Sequence, residues 1–285
     1  KIKSKVTYSN DEPVGVYTSY YDDGKVKLTG QYEGGKMTGL WKSTYKSGKT
    51  EYTENYIKGQ EDGEYISYYE NGKIKTKSFY KKGEVDGKKE DYDDDGILFS
   101  ETIMERGRLR DIKFFDKKGQ VISNTTSRKG NANIAFYLPD GSKSEDGYFN
   151  KDGTQEGKAT YYYKNGKTSV EANYNDGLLE GKRTAYFING TMSQEGNYKA
   201  DKADGYFINY YSNGSVSNEG WYVNGDAQGT FIYYDLLGNK SSKVYYLDDQ
   251  THGVSEYFHP NGKPDYTEYY DNAWFKKLVQ FDTTG

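Results

Sequence analysis

Glycine returns every 24 residues in this chain. It stands at Gly15, Gly39, Gly63 and Gly87, and in a second register at Gly157, Gly181, Gly205, Gly229 and Gly253. The two runs are 70 residues apart, two short of three periods, so the register nearly survives the interval between them. A fixed period of this size is the mark of a repeat architecture, in which each module buries its apolar surface against its neighbours. Such arrays are long surfaces, and their usual work is contact rather than catalysis.

Each module reads as two short strands and two tight turns. The third runs Gly63-Glu-Tyr-Ile-Ser-Tyr-Tyr-Glu-Asn-Gly72 and then Lys73-Ile-Lys-Thr-Lys-Ser-Phe-Tyr80-Lys-Lys-Gly83. The first turn carries Asp-Gly at 23–24 and 95–96, Ser-Gly at 47–48, and Asn-Gly at 71–72, 165–166, 189–190, 213–214 and 261–262. Asn-Gly and Asp-Gly tolerate the positive φ angles of a two-residue hairpin turn, so that turn is expected here. A second turn follows at Gly35, Gly59, Gly83, Gly107, Gly177 and Gly225. Runs of roughly 7 to 9 residues between turns leave room for strands and none for a helix. The 34 glycines fit modules with two or three turn glycines each, and the 33 tyrosines favour strands.

The expected fold is therefore all-β: an elongated antiparallel β-hairpin repeat array, a twisted or curled single-layer sheet. Residues 1–104 form an N-terminal block of about four modules and 156–285 a C-terminal block closed by an end cap at Val279–Gly285. Between them, 105–155 is irregular: Gly119 and Gly141 still look like first-turn glycines, but the opening glycines are gone.

The pattern of Tyr-Tyr-x-Asn-Gly-Lys, followed by a second-strand Tyr and then Asn-Gly or Lys-Gly, resembles the bacterial variant of the MORN repeat (membrane occupation and recognition nexus). Relatives of this kind often carry the label YwqK-type antitoxin. The resemblance covers nearly the whole chain, weakly at 105–155. It implies a β-hairpin array acting in protein or membrane recognition, and the antitoxin label implies neutralising a toxin by direct binding. Lys- and Tyr-rich members look like those of host-associated bacteria, where they are surface or secreted proteins.

Aromatic residues are the candidate contact surface. The fifth residue after each opening glycine gives Tyr20, Tyr68, Tyr92, Tyr162, Tyr186, Tyr210, Tyr234 and Phe258, with Thr44 the exception. The second and sixth residues place further aromatics on the opposite face, since strand side chains alternate. Two readings compete. Stacked cross-strand aromatics hold a sheet together, whereas an exposed ladder of tyrosines offers amphipathic contact area of the kind enriched at binding hot spots.

The 39 basic and 43 acidic residues nearly balance, which disfavours a nucleic-acid binder. One local departure is Arg106, Arg108, Arg110 and Arg128, four of five arginines in the chain. They suggest either a solvated kink or a patch for an anion or acidic partner. Asp91, Asp93 and Asp95 before Gly96 match the first half of a calcium loop. They also fall on the ordinary first turn of the fourth module, and Thr102 stands where the loop's closing Glu belongs.

There is no cysteine, and the two histidines, His252 and His259, sit at turns or strand ends. With no nucleophile and base converging on a pocket, neither an enzyme nor a cofactor is expected. No apolar run approaches the ~18 residues of a membrane span. The expectation is a non-enzymatic scaffold for a protein partner, extracytoplasmic in a bacterium. The alternatives are a membrane- or glycan-associated surface protein and a cytoplasmic antitoxin.

Overall fold

A computed structural model describes residues 2–282, so the last three residues of the expected end cap lie outside it. The remainder of that cap continues the final strand, Trp274–Gln280. All regular elements among the described residues are β-strands, and the pairings are antiparallel hairpins ordered as in the sequence. The strand orders are open paths and neither sheet closes into a barrel. The chain divides into two compact bodies, residues 1–142 with 149–153 and residues 143–148 with 154–285.

Within the first body, the sheet begins at Ser4–Ser9, passes through Glu12–Tyr20, Val26–Glu33, Lys36–Thr44 and Thr50–Ile57, and ends at Val121–Thr126. Within the second, it passes from Gln155–Tyr162 and Thr168–Asn175 through Gly181–Tyr186, Met192–Lys199, Gly205–Tyr210, Val216–Val223, Asp226–Tyr234 and Lys240–Leu247, to Gly253–Phe258, Pro264–Asp271 and Trp274–Gln280. Both bodies repeat one hairpin, in which the opening glycine pairs with the second-strand tyrosine. Gly63 lies opposite Tyr80, Gly181 opposite Tyr198, and Gly205 opposite Tyr222.

The two-residue turn expected at Asn-Gly forms at the second turn instead. At the first turn Gly72 N–H donates to Tyr69 C=O, and Tyr69 N–H to Lys73 C=O, each at 2.8 Å. Only Gly72 has positive φ there, at 92°; Asn71 does not, and its Oδ1 instead accepts the Lys73 N–H at 2.9 Å. This is a three-residue loop ending in a glycine bulge. The two-residue turn with positive φ at both positions is the second one, as at Lys82 (53°) and Gly83 (84°) between the paired Lys81 and Glu84. Asn-Gly therefore serves here as an Asx-braced type I turn, the bulge glycine taking the left-handed residue.

One face of each sheet is packed. The second residue after the opening glycine is buried at Trp41 (1% exposed), Phe207 (3%) and Phe231 (3%). These rings interleave with second-strand tyrosines in edge-to-face order: Tyr198–Phe207 at 5.3 Å, Phe207–Tyr222 at 5.0 Å, Tyr222–Phe231 at 5.3 Å and Phe231–Tyr246 at 5.1 Å. Each such pair is worth about 0.5–1.5 kcal/mol beyond the area it buries. Room for the rings comes from glycines inside strands. A Cβ on Gly30 would lie 2.0 Å from the Trp41 ring, one on Gly196 2.3 Å from Phe207, and one on Gly220 2.4 Å from Phe231. These three glycines are core residues rather than turn residues.

The irregular stretch supplies a different core. Ile112, Phe114, Ala132 and Ile134 are buried together in the first body, with Phe136 and Phe149 packed against them. Phe114 meets Phe136 at 5.9 Å, and Phe136 meets Phe149 at 5.5 Å. Aliphatic side chains here do the work that the Tyr–Phe zigzag does elsewhere.

Candidate functional site, an exposed aromatic stripe on the open face

Successive modules are stitched at both turns. At the first turn, tyrosine hydroxyls donate to a carbonyl 23 residues on: Tyr45 to Tyr68 (2.6 Å), Tyr69 to Tyr92 (2.8 Å), Tyr163 to Tyr186 (2.6 Å) and Tyr211 to Tyr234 (2.8 Å). At the second turn, the residue before an opening glycine caps a backbone N–H of the next module. Asp62 accepts from Lys82, Asp86 from Arg106, Glu180 from Ala200 and Asp204 from Asn224, at 3.0–3.3 Å. His252 occupies this position in the last full module, where its Nδ1 accepts from Asn272 N–H at 3.4 Å.

The face opposite the packed one carries the fifth-position aromatics. All eight of the predicted residues, Tyr20, Tyr68, Tyr92, Tyr162, Tyr186, Tyr210, Tyr234 and Phe258, are half-buried. Most of their hydroxyls are held by carboxylates: Tyr92 by Glu90 (3.1 Å), Tyr162 by Asp146 (2.6 Å), Tyr186 by Glu171 (3.0 Å), Tyr210 by Glu195 (3.4 Å) and Tyr234 by Glu219 (2.7 Å). Lys5 lies 5.8 Å from the Tyr20 ring and Lys243 5.7 Å from that of Phe258. Burial, then the neighbouring Glu219, pushes the Tyr234 phenol up to about 12. Hydrogen bonds from Lys158 and Tyr186 draw the Glu171 carboxyl below its usual range.

The exposed aromatics of this face are others. The position after the opening glycine and its cross-strand partner form the pairs Tyr206–Trp221, Thr230–Tyr245 and Val254–Tyr269 in three consecutive modules. Trp221 is 55% exposed, and Tyr206, Tyr245, Val254 and Tyr269 are exposed beside it in register. The Tyr206 and Trp221 rings lie 5.5 Å apart. Glu219 stands beside both Tyr206 and Tyr234, and burial followed by its hydrogen bond raises the Tyr206 phenol to about 12. The stripe and the fifth-position ladder thus share one face. A shallow depression of about 530 Å³ opens between Tyr245, His252 and Val254, with the ion pair Lys243–Glu256 (2.9 Å) on its wall.

In other modules the partner position holds Gln31, Phe79, Ile103 or asparagine, and two of the asparagines have a structural task. Asn55 Nδ2 donates to Glu64 C=O at 3.1 Å and Asn173 Nδ2 to Lys182 C=O at 2.9 Å, each joining one module to the next. Trp221, Tyr245 and Tyr269 give up that bond and leave apolar surface in water. A regular core aromatic needs no such exception, which is why the recurring tyrosines drew attention and these three did not. Their signal in the sequence is an aromatic at the same second-strand position in three modules running.

The basic and acidic candidates separate. Arg106, Arg108 and Arg110 line one cleft of the first body together with Lys129, whereas Arg128, exposed outside that lining, closes a small turn through its backbone pairing with Asn131. Asp91 is engaged by Thr76 (2.9 Å), Lys89 (2.7 Å) and Ser100 (3.1 Å). Asp93 braces its turn by accepting Asp95 N–H (3.0 Å) and Ile97 N–H (2.8 Å). Carboxylate oxygens of Asp93, Asp94 and Asp95 lie within 4.8 Å of one another, a grouping that leaves Asp91 out. Asp116 and Asp235 make the same pair of backbone contacts in other turns, so turn bracing accounts for Asp93.

Comparison with known families decides the kind of module. A family model described as the MORN repeat variant matches residues 13–33, 61–82, 155–176 and 251–272. Four of the modules match the MORN repeat variant. Every match begins two residues before an opening glycine, so its frame is the hairpin described above. The matches together take in less than half of the chain. No curated protein matches it. Among solved structures it is similar to chains of "Crystal Structure of TcdB2-TccC3-Cdc42" and "Crystal Structure of TcdB2-TccC3", each at 10% identity and a TM-score of 0.21. The alignments cover 95% and 98% of this chain and 18% and 20% of those, so the chain spans about a fifth of their length. A likeness of that size carries no argument about what the array binds.

Proposed function

We propose that this protein is a non-enzymatic interaction scaffold whose MORN-type modules present the open face of the second body to a protein partner. The observation that carries the reading is the aligned exposure of Tyr206, Trp221, Tyr245 and Tyr269 in consecutive modules, the last three at a position where Asn55 and Asn173 join one module to the next. Large amphipathic rings with modest side-chain entropy are the residues that anchor interfaces. The half-buried Tyr–Glu ladder beside them supplies a rigid, polar border.

Wild-type protein and a Trp221→Ser/Tyr245→Ser variant would be used as baits against extracts and culture fluid of the source bacterium and its host. A partner retained by wild type and lost by the variant, at equal thermal stability, supports the reading. Retention by both disposes of the stripe. Recovery of a toxin through the same face would give the protein the antitoxin role that the resemblance implies. Flotation with vesicles, abolished by the same two substitutions, would instead assign the stripe to a membrane surface. The reading includes an extracytoplasmic location, tested by fractionating cells that express the full gene.

A further inference from the structure

A second site lies in the first body and uses different chemistry. The chain holds 39 basic residues, of which only five are arginine, yet Arg106, Arg108 and Arg110 fall within five positions. Arg106 occupies the left-handed position of a two-residue turn (φ 51°), fixed by its N–H to Asp86. Arg108 and Arg110 follow on the strand Arg108–Phe115, both exposed, with Arg110 the extra residue of a β-bulge between Leu109 and Asp111. With Lys129 they line a cleft of about 590 Å³ that also contains Glu84 and Glu105. An adjoining depression of about 510 Å³ shares Glu84 and Arg106 and adds Lys81, Lys82 and Asp86.

The charges are poised rather than spent. Arg110 pairs with Glu105 at 3.0 Å, but both side chains are more than half exposed, and ion pairs so placed are easily exchanged. Among the described residues neither Arg106 nor Arg108 has an ion pair. Six cations across the two depressions face three carboxylates. Guanidinium forks suit carboxylates bidentately, which the chain's abundant lysine cannot do.

We propose that this cleft binds an extended acidic peptide with carboxylates at alternate positions. Arg108 and Arg110 flank Leu109 on the strand, and both line the cleft. An extended peptide presents every second side chain to one side, about 6.8 Å apart, an interval that two long guanidinium side chains standing two residues apart can span. Two carboxylates would meet Arg108 and Arg110, and a third would meet Arg106 at the turn. Leaving the open face of the second body untouched, this site is independent of the scaffold reading above.

The test is titration calorimetry of the full chain with Glu-Ser-Glu-Ser-Glu, with Glu-Glu-Glu-Ser-Ser of equal charge, and with inorganic phosphate. The alternating peptide is expected to bind tightest, and to weaken as salt rises. Arg108→Ser is expected to weaken it about tenfold, and Arg108→Lys to restore only part of that. Glu105→Gln, which removes the competing carboxylate from Arg110, is expected to tighten it, an outcome that misfolding cannot produce. Equal affinity for the two peptides, phosphate binding as tightly as either, no peptide binding at all, or indifference to both Arg108→Ser and Glu105→Gln would overturn the proposal.

Discussion

The fold rests on a few residues whose task is to make room. Gly220 sits beneath the Phe231 ring, where an added Cβ would lie 2.4 Å from a ring carbon. Gly220→Ala is expected to cost about 1–3 kcal/mol, as overpacking of a tight core does, measured as a fall in the denaturation midpoint. Ala273 poses the opposite case, holding φ 63° at a second turn where other modules use glycine or aspartate. The left-handed conformation costs alanine about 1–2 kcal/mol, part of which glycine's extra chain entropy offsets. Ala273→Gly is therefore expected to stabilise by roughly 0.5–1 kcal/mol, read from the same midpoint. Neither role was legible in the sequence. Glycines counted there as turn residues because Gly30, Gly196 and Gly220 reveal themselves only when a ring from the next module lands on them.

At the scale of the hairpin, much of the structure could be read beforehand. The 24-residue period located both strands, but aromatics on both faces left open which face is packed. The turn types could not be read from the dipeptide, because Asn-Gly also suits an Asx-braced loop with a glycine bulge. Which conformation forms depends on the hydrogen bond that Asn71 makes to Lys73 N–H. Between Tyr163 and Tyr211 the tyrosine ladder at that turn is interrupted, where Phe187 replaces the hydroxyl donor. Phe187→Tyr is expected to supply the missing bond to the Tyr210 carbonyl and add up to about 1 kcal/mol, whereas Tyr69→Phe should remove a similar amount. Equilibrium unfolding of the two variants checks both signs. The candidate site was half legible: the fifth-position ladder lies on the open face, but the exposed anchors, Trp221, Tyr245 and Tyr269, occupy a position that varies from module to module.

Across the molecule, tyrosine ties stability to alkaline pH. Tyr206 and Tyr234 titrate near 12 in the fold, through burial first and Glu219 second, against an ordinary value of 10.0. Many other tyrosines are raised in the same direction by burial, among them Tyr65, Tyr80 and Tyr222. Between pH 10 and 12 the unfolded chain loses these protons while the native one keeps them, so stability falls as pH rises. Below pH 10 this contribution is fully present. Unfolding is expected to move into that window, with phenolate absorbance appearing together with loss of the β-sheet signal. A phenolate rise well before the sheet is lost would mean that the ladders are open to solvent. The same open face that holds Tyr206 and Tyr234 carries the proposed contact surface, and stability and recognition should part company on it. The most direct test compares partner retention and melting temperature for Trp221→Ser/Tyr245→Ser against wild type. The account expects an unchanged melting temperature with the partner lost; a partner still held at full strength would contradict it.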